Sequence, residues 1–528
     1  TWSNTWTFDV TDYSSILRDT IRINAFYGGW QNGFTITLDF EFIEGIPPRD
    51  PIHVENIWNS GPGGFQYGNT SNPINSHLGP SDVVVPANAA AAKFRFTPTG
   101  HSFGGNENCA EFCTKQYGVL LDGTQYFQDD IWRDDCGSNA LFPQAGTWLY
   151  DRANWCPGES AWWHDHEITP YITPGDSLEL QMLIESYVYT GGAGFHPNYI
   201  VETQVIYYDS PNFTLDASIE EIISPNNNFT YNRVNPICSH PQIKIKNTGT
   251  APLTSLTIEY EVQGGTVHTY NWSGSLDFLE SEVVTLDDLD LSSSTSNKFL
   301  VRLLSPNGGT DQYADNNNMS SHFDRPHDYS NGPIIVHFRT NNVANDTKWW
   351  LYDEMGNVLY SRAAGLSSNT LYRDTLNLLS GCYRFLVEDD QKNGLSFFNF
   401  NNDGSGYVAF FNSAGLVTRS FQPNFGTFLD YQFTTGLSVG QSEIIGESVF
   451  NVFPNPNDGT FEISMAFATI QDVELSIYNS IGKLIENKFY TDIINSNQQI
   501  DLTQFGKGIY LISAKSDDKH YSRRVIVR

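Results

Sequence analysis

The chain has 528 residues, more than one hydrophobic core can organise, so about three to five domains are expected. Its net charge of −31 excludes nucleic acid as a partner, because phosphates need Lys and Arg, and no apolar run approaches the length of a transmembrane helix. Aromatic residues make up 14% and charged residues only 17%, with Gly and Asn abundant, which suits an extracellular all-β protein.

Reading in chain order, Trp6-Thr7-Phe8-Asp9-Val10 predicts a strand and residues 11–17 a short capped helical turn. Segments 20–25 and 33–43 alternate apolar and polar residues as strands do. Three strands with nothing before them would leave open edges, and Thr1 begins directly in strand-like sequence. The expectation is therefore a mature or truncated product whose opening strands lie upstream. Ile46-Pro47-Pro48-Arg49-Asp50-Pro51 predicts a stiff extended connector, since proline fixes φ and keeps the preceding residue out of helix. A β-sandwich is expected over 51–208. Its strands fall near 83–85, 93–97, 117–121, 178–185 and 200–207, with a glycine-rich loop at 191–194.

Four of the six cysteines fall between Gly100 and Gly158. The stretch runs through Gly100-His101, Cys109-Ala110-Glu111-Phe112-Cys113, Trp132-Arg133-Asp134-Asp135-Cys136 and Asp151-Arg152-Ala153-Asn154-Trp155-Cys156-Pro157-Gly158. No C-x-x-C pair recurs and no histidine repeat follows, so zinc spacing is absent and a disulfide framework is the better reading. From spacing alone the three connectivities of four cysteines stay open. Glu111 on such a loop reads either as a solvated carboxylate on a stapled turn or as a functional group held by it. Arg152 and Trp155 read either as a surface charge and a core aromatic or as a hydrogen-bond donor and a sugar platform.

These two cysteine motifs resemble the carboxyl-terminal half of the peptide N-glycosidase F family, over about residues 6–208. That family comprises secreted bacterial amidases that cut between N-acetylglucosamine and asparagine. The resemblance implies two jelly-roll-like sandwiches, with residues 1–46 closing a truncated first one, 51–208 forming the second, and the family's principal catalytic aspartate lying upstream. It also implies Cys109–Cys113 and Cys136–Cys156 bridges, Glu111 as an active-site carboxylate, and Arg152, Trp155, His101 and Trp30 as substrate-binding positions. Glu111 is then expected in or beside a groove floored by Trp155, with Arg152 within hydrogen-bonding reach. The chain departs from the family pattern at Pro98-Thr99-Gly100-His101, where a tryptophan between two glycines is replaced, and around Phe26 to Trp30, where a second supporting glutamate has no counterpart.

A rival chemistry is carried by Trp162-Trp163-His164-Asp165-His166-Glu167. His-x-His on a strand puts two imidazoles on one face, which makes His164 and His166 weak copper or zinc candidates, joined by His101, His196 and Met182. Copper-dependent peptide hydroxylating monooxygenases resemble the same pair of sandwiches. The bland reading is a polar loop, and no cofactor is expected.

Residues 213–324 predict an immunoglobulin-like module from strands 243–246 and 256–262, with Cys238 lacking an evident partner. Residues 333–437 predict an accessory sandwich from 347–353 and 381–387, and here too Cys382 is expected free. Asn401-Asn402-Asp403-Gly404 lacks the full ligand series of a calcium loop and reads as a plain turn. In residues 448–528, Val452-Phe453-Pro454-Asn455-Pro456 is followed by Asp458-Gly459-Thr460-Phe461, by Ile481-Gly482-Lys483-Leu484 and by a closing basic strand. That order is similar to the sorting domain of type IX secretion substrates, a small β unit with Asp-Gly and Gly-Lys turns.

Together these readings imply a secreted or cell-surface string of β-sandwiches that hydrolyses glycosylasparagine amides when full length, with little or no cleavage expected of this chain alone. The substrate would be an N-glycoprotein or glycopeptide, and the export partner the type IX machinery. The alternatives are a non-catalytic glycan- or peptide-binding surface protein and a copper-dependent monooxygenase-like protein.

Overall fold

The computed structural model describes residues 5–25, 35–105, 107–192, 196–291, 296–329, 332–436, 449–516 and 520–528. The first large unit is a two-sheet sandwich. One sheet runs β1 (Arg49–Asn59), β9 (Asn198–Pro211), β4 (Ala91–His101) and β7 (His164–Glu167), with β2 (Phe65–Gln66) also pairing β9. The other runs β3 (Ser81–Val84), β8 (Ser177–Ile184), β5 (Lys115–Leu121) and β6 (Thr124–Ile131). Alternation along β8, with Leu178, Leu180, Met182 and Ile184 buried, turns one face of its sheet onto Phe94 and Phe96 of β4. Pro51 is accommodated because β1 lies at a sheet edge, and its pairing with β9 is irregular on both sides of the proline.

Two expectations fail. The amino-terminal alternation does not become sheet: the described part of 5–46 contains one 3-10 turn, Thr11–Tyr13, and no strand. Ile36, Leu38, Phe40 and Phe42 stay exposed, because alternation makes a strand only where a neighbouring strand takes its N–H and C=O groups. The segment is instead pinned by polar contacts. Asp12 accepts from Lys93 (2.9 Å), Arg95 (2.8 Å) and Tyr208 (2.7 Å), and Tyr13 Oη donates to Gln204 (2.7 Å). Burial pushes the Asp12 carboxyl up, but the two cations outweigh it and hold it below the usual carboxylate range.

The second failure concerns the remaining cysteines. Cys238 and Cys382 are not free but form a disulfide across a sequence separation of 144. It ties together two further sandwiches. The first packs a three-stranded sheet (Ala217–Ser224, Gln242–Asn247, Ser281–Thr285) on a four-stranded one (His268–Leu276, Leu253–Val262, Lys298–Leu304, Asn318–His322). The second lies between His327 and Thr435 and has five- and four-stranded sheets. Neither cysteine has a partner within its own sandwich, which is why sequence spacing could not pair them. A last five-stranded sheet is built from residues 449–527 around the long strand Thr460–Asn479.

The sandwiches are not beads on a string. Arg233 of the immunoglobulin-like unit is buried. It donates to Phe425 O (3.0 Å) and Phe428 O (2.5 Å) of the accessory sandwich, with its guanidinium over Phe142 of the first (4.0 Å). Thr427 N donates to Gly137 O (2.9 Å), and Gly426 must be glycine there, because a Cβ would stand 2.1 Å from that oxygen. The stretch 132–158 is thus clamped by a module over two hundred residues downstream in sequence.

Candidate active site

Where β4 ends, the backbone turns through Ser102 in the left-handed region (φ 64°) and closes the small loop bridged by Cys109–Cys113. Glu111 sits inside that loop. Its N–H donates to Ser102 O (3.1 Å), and its carbonyl accepts from Ala153 N (2.9 Å). Gly100 N donates to Ala153 O (3.1 Å), so the two cysteine motifs are laced to one strand end. The approach is close enough that a Cβ on Gly100 would lie 2.5 Å from Ala110 O and 2.6 Å from Ala153 Cβ. The Cys136–Cys156 bridge and the isolated Arg133–Arg152 β-bridge hold the second motif.

Glu111 and Arg152 form an ion pair at the centre. Arg152 Nε donates to Glu111 Oε1 at 3.1 Å, and Ser102 N donates to Oε2 at 3.1 Å. The other guanidinium nitrogens donate to Tyr150 O, Thr147 O and Thr147 Oγ1, each at 2.9 Å. The Arg152 side chain is 4% exposed and that of Glu111 14%, so the carboxylate is nearly but not wholly enclosed. Burial lowers the Arg152 pKa while Glu111 opposes the shift, and an arginine remains charged throughout the physiological range. Its planar head lies 4.9 Å from the Trp155 ring centroid and 5.0 Å from that of Phe112. The carboxylate is thereby tied to Arg152 and to the Ser102 backbone, and Arg152 is held in turn by Thr147 and Tyr150.

Trp155 is half-buried, donates Nε1–H to Gly100 O (2.7 Å), and lies 5.2 Å from the His101 ring. His101 Nε2 contacts Thr99 Oγ1 (2.8 Å), and burial lowers its pKa, which keeps the imidazole neutral near pH 7. Glu111, Arg152, Trp155 and His101 therefore come together. Trp30 lies outside the described residues.

His164 and His166 go elsewhere. They pair with Phe96 and Phe94 of β4, so both imidazoles turn into the sandwich. His166 Nε2 meets Tyr117 Oη at 2.7 Å, and His164 Nε2 meets Asn154 Oδ1 at 3.1 Å. Burial lowers both pKa values. His101 belongs to the Glu111 cluster and Met182 is fully buried in the core. The one cluster of three ligating side chains among the described residues, Asp135 with Cys136 and Cys156, is spent on a disulfide. The Asn401–Asp403 segment is a turn, with Asp403 O and Asn402 O accepting from Asn342.

Beside the Glu111–Arg152 pair runs a groove of about 530 Å³. Its walls are Phe103, Phe112, Thr147 and Tyr150 from the first sandwich and Lys392, Asn399 and Phe400 from the accessory one. Phe112, Thr147 and Tyr150 are the residues that hold or stack on Arg152, so groove and ion pair share a wall. The wall is Phe112 and Tyr150, not the expected Trp155, which is turned toward Gly100 and His101. Lys392 Nζ donates to Asp134 O (2.6 Å) and Asp151 Oδ2 (3.0 Å), and Asn399 Nδ2 donates to Tyr150 Oη (2.5 Å). Burial pushes the Asp151 carboxyl up, and Lys392 partly offsets it. Sequence reasoning missed Ser102, Thr147, Tyr150 and Lys392. The first three lie between Gly100 and Gly158, but three of their bonds use backbone atoms, which carry no residue-type signal.

Residues 72–185 match the family described as peptide-N-glycosidase F, C terminal, and residues 451–528 match the secretion system C-terminal sorting domain. The sorting domain marks the protein as secreted or attached at the cell surface. Among the described residues no helix is long and apolar enough to cross a membrane. The chain is 27% identical over 161 residues to the peptide-N(4)-(N-acetyl-beta-D-glucosaminyl)asparagine amidase F of Elizabethkingia miricola. The match covers 28% of this chain and 44% of that protein, so the chain spans less than half of the curated relative. A solved glycosylasparaginase from Flavobacterium meningosepticum is 21% identical over 30% of this chain and 51% of its own (TM-score 0.27). A β-glucuronidase from Ruminococcus gnavus is 8% identical over 54% and 46% (TM-score 0.24).

Proposed function

We propose, on the premise that residues 72–185 carry the carboxyl-terminal fold of a peptide-N-glycosidase F, that the protein is an amidase of N-glycoproteins or glycopeptides. It would hydrolyse the bond between asparagine and N-acetylglucosamine. Water adds to the asparagine side-chain carbonyl, the C–N bond breaks, nitrogen takes up a proton, and aspartate and a glycosylamine leave. The observation that supports this is the ion pair itself: a carboxylate 14% exposed, fixed by N–H donors on both oxygens, on a loop stapled by a disulfide. With Arg152 and Ser102 each donating to one oxygen, Glu111 retains acceptor capacity for a further hydrogen bond. That suits orienting a substrate amide or a water. Trp155 packs its ring between His101 and the Arg152 guanidinium, and Arg152 positions Glu111. Fixed geometry of this kind contributes by pre-paid orientation rather than by movement.

Glu111→Gln tests the assignment, since it keeps the shape and removes the charge. Cleavage of a glycopeptide should fall about a hundredfold or more, while the hydrogen-exchange protection of β4 and β5 falls far less. Unchanged deglycosylation would remove Glu111 from the reaction. Retained glycan binding without any cleavage in the full-length protein would favour a binding module instead.

A further inference from the structure

We propose that the groove between the first sandwich and the accessory sandwich is a second carbohydrate subsite, which binds the outer part of the oligosaccharide carried by the substrate. The proposal rests on the amidase reading for the identity of that substrate, but the groove stands on its own geometry. At about 530 Å³ it has the size of a small-molecule site.

Its lining has the chemistry that sugars select. Four aromatic rings run across the module boundary, Phe103 to Phe112 (centroids 5.1 Å), Phe112 to Tyr150 (6.1 Å) and Tyr150 to Phe400 (6.1 Å). The two end rings, Phe103 and Phe400, pack on Phe112 and Tyr150 yet remain exposed, so the row presents apolar ring surface to solvent. The C–H faces of pyranose rings pack on aromatic rings, and planar amides supply paired donors and acceptors for vicinal hydroxyls. The exposed amides of Asn108 and Gln391 line the groove, and Asn399 donates from Nδ2 to Tyr150 Oη on the same wall.

The groove is also built rather than incidental. Lys392 bonds Asp134 and Asp151, Thr427 bonds Gly137, and Arg233 fixes the strand at Phe425 and Phe428. These contacts set the distance between the two walls. Because Phe112 and Tyr150 also touch Arg152, an oligosaccharide lying in the groove would approach the Glu111–Arg152 pair with its core end. The accessory sandwich would thereby read glycan length and branching, a role lying outside residues 72–185.

The test uses the full chain and released, reducing N-glycan oligosaccharides, with chitobiose as the short comparison, in isothermal titration. The oligosaccharides should bind about tenfold or more tightly than chitobiose. Phe400→Ala and Gln391→Ala should each weaken the oligosaccharide several-fold to about tenfold, the loss of one stacking face or one amide. Chitobiose affinity and Tm should not follow. On a glycopeptide the same variants should raise KM with kcat little changed, as for uniform binding. Equal affinity for both ligands, no oligosaccharide binding, or an oligosaccharide affinity indifferent to Phe400→Ala overturns the subsite. Binding that depends on Phe400 in a full-length protein that cleaves no glycopeptide instead overturns the amidase reading and leaves the subsite standing. Cleavage with KM unaltered in both variants does the reverse.

Discussion

Replacing Arg152 by Met and Glu111 by Leu, singly and together, measures how much of the site is held by one ion pair. Arg152→Met strands Glu111 Oε1 together with the acceptors on Thr147 and Tyr150, four bonds from a group only 4% exposed. Removing one partner of a buried pair costs about 3–5 kcal/mol. The 14% exposure of Glu111 lets some water in, so about 3 kcal/mol is expected. Glu111→Leu should cost about 2 kcal/mol, because the guanidinium keeps its three other bonds. In the double variant neither charge is left buried alone, so the sum should overshoot the measured cost by about 2 kcal/mol. A chain of several sandwiches does not unfold in one step. Hydrogen exchange read on peptides from Ala91–His101, Lys115–Leu121 and Ser177–Ile184 isolates the sandwich concerned. Additivity to within about 0.5 kcal/mol would refute the coupled, buried pair.

Two other outcomes follow from contacts elsewhere. Burial lowers the folded pKa of His164 and His166 below their ordinary value of about 6.5. Their contribution to stability is therefore present above that value and lost as pH falls through it toward the folded pKa. Asp129 and Asp165 oppose the shift and the His164 imidazole reinforces it at His166, so thermal scans between pH 7.5 and 5 should show a drop that His164→Asn with His166→Gln flattens. Identical slopes in the two proteins would mean that the imidazoles are not the titrating groups. Non-reducing peptide mapping should link Cys238 to Cys382, and closing a loop of that separation is worth about 5 kcal/mol on loop-entropy grounds. Alkylation of either cysteine in unfolded, unreduced protein would contradict the bridge.

Much of the molecule is legible in its residues taken one after another. Alternation in 178–184 and 200–207 predicts strands that do form, since burial on one face of a sheet leaves a period-two trace in the sequence itself. The cysteine motifs point to Glu111, Arg152, Trp155 and His101, which the fold brings together, and the Pro-Asn-Pro to Gly-Lys order identifies the sorting domain. His-x-His correctly puts two imidazoles on one face, but does not say which face.

What the sequence could not carry is any property that depends on which distant segment becomes the neighbour. Residues 35–43 alternate as clearly as 178–184, yet among the described residues only the latter find pairing partners, because a strand's hydrogen bonds are made by another strand. Cys238 meets Cys382 only when two sandwiches dock. The His164 and His166 rings turn inward because β7 registers against Phe94 and Phe96. The groove exists only where Tyr150 and Phe400, far apart in the chain, share a wall-to-wall gap fixed by Lys392 and Arg233. Periodicity and motif are local and survive in one dimension. Register, docking and backbone donors are set by packing, and packing is decided only when the whole chain has closed on itself.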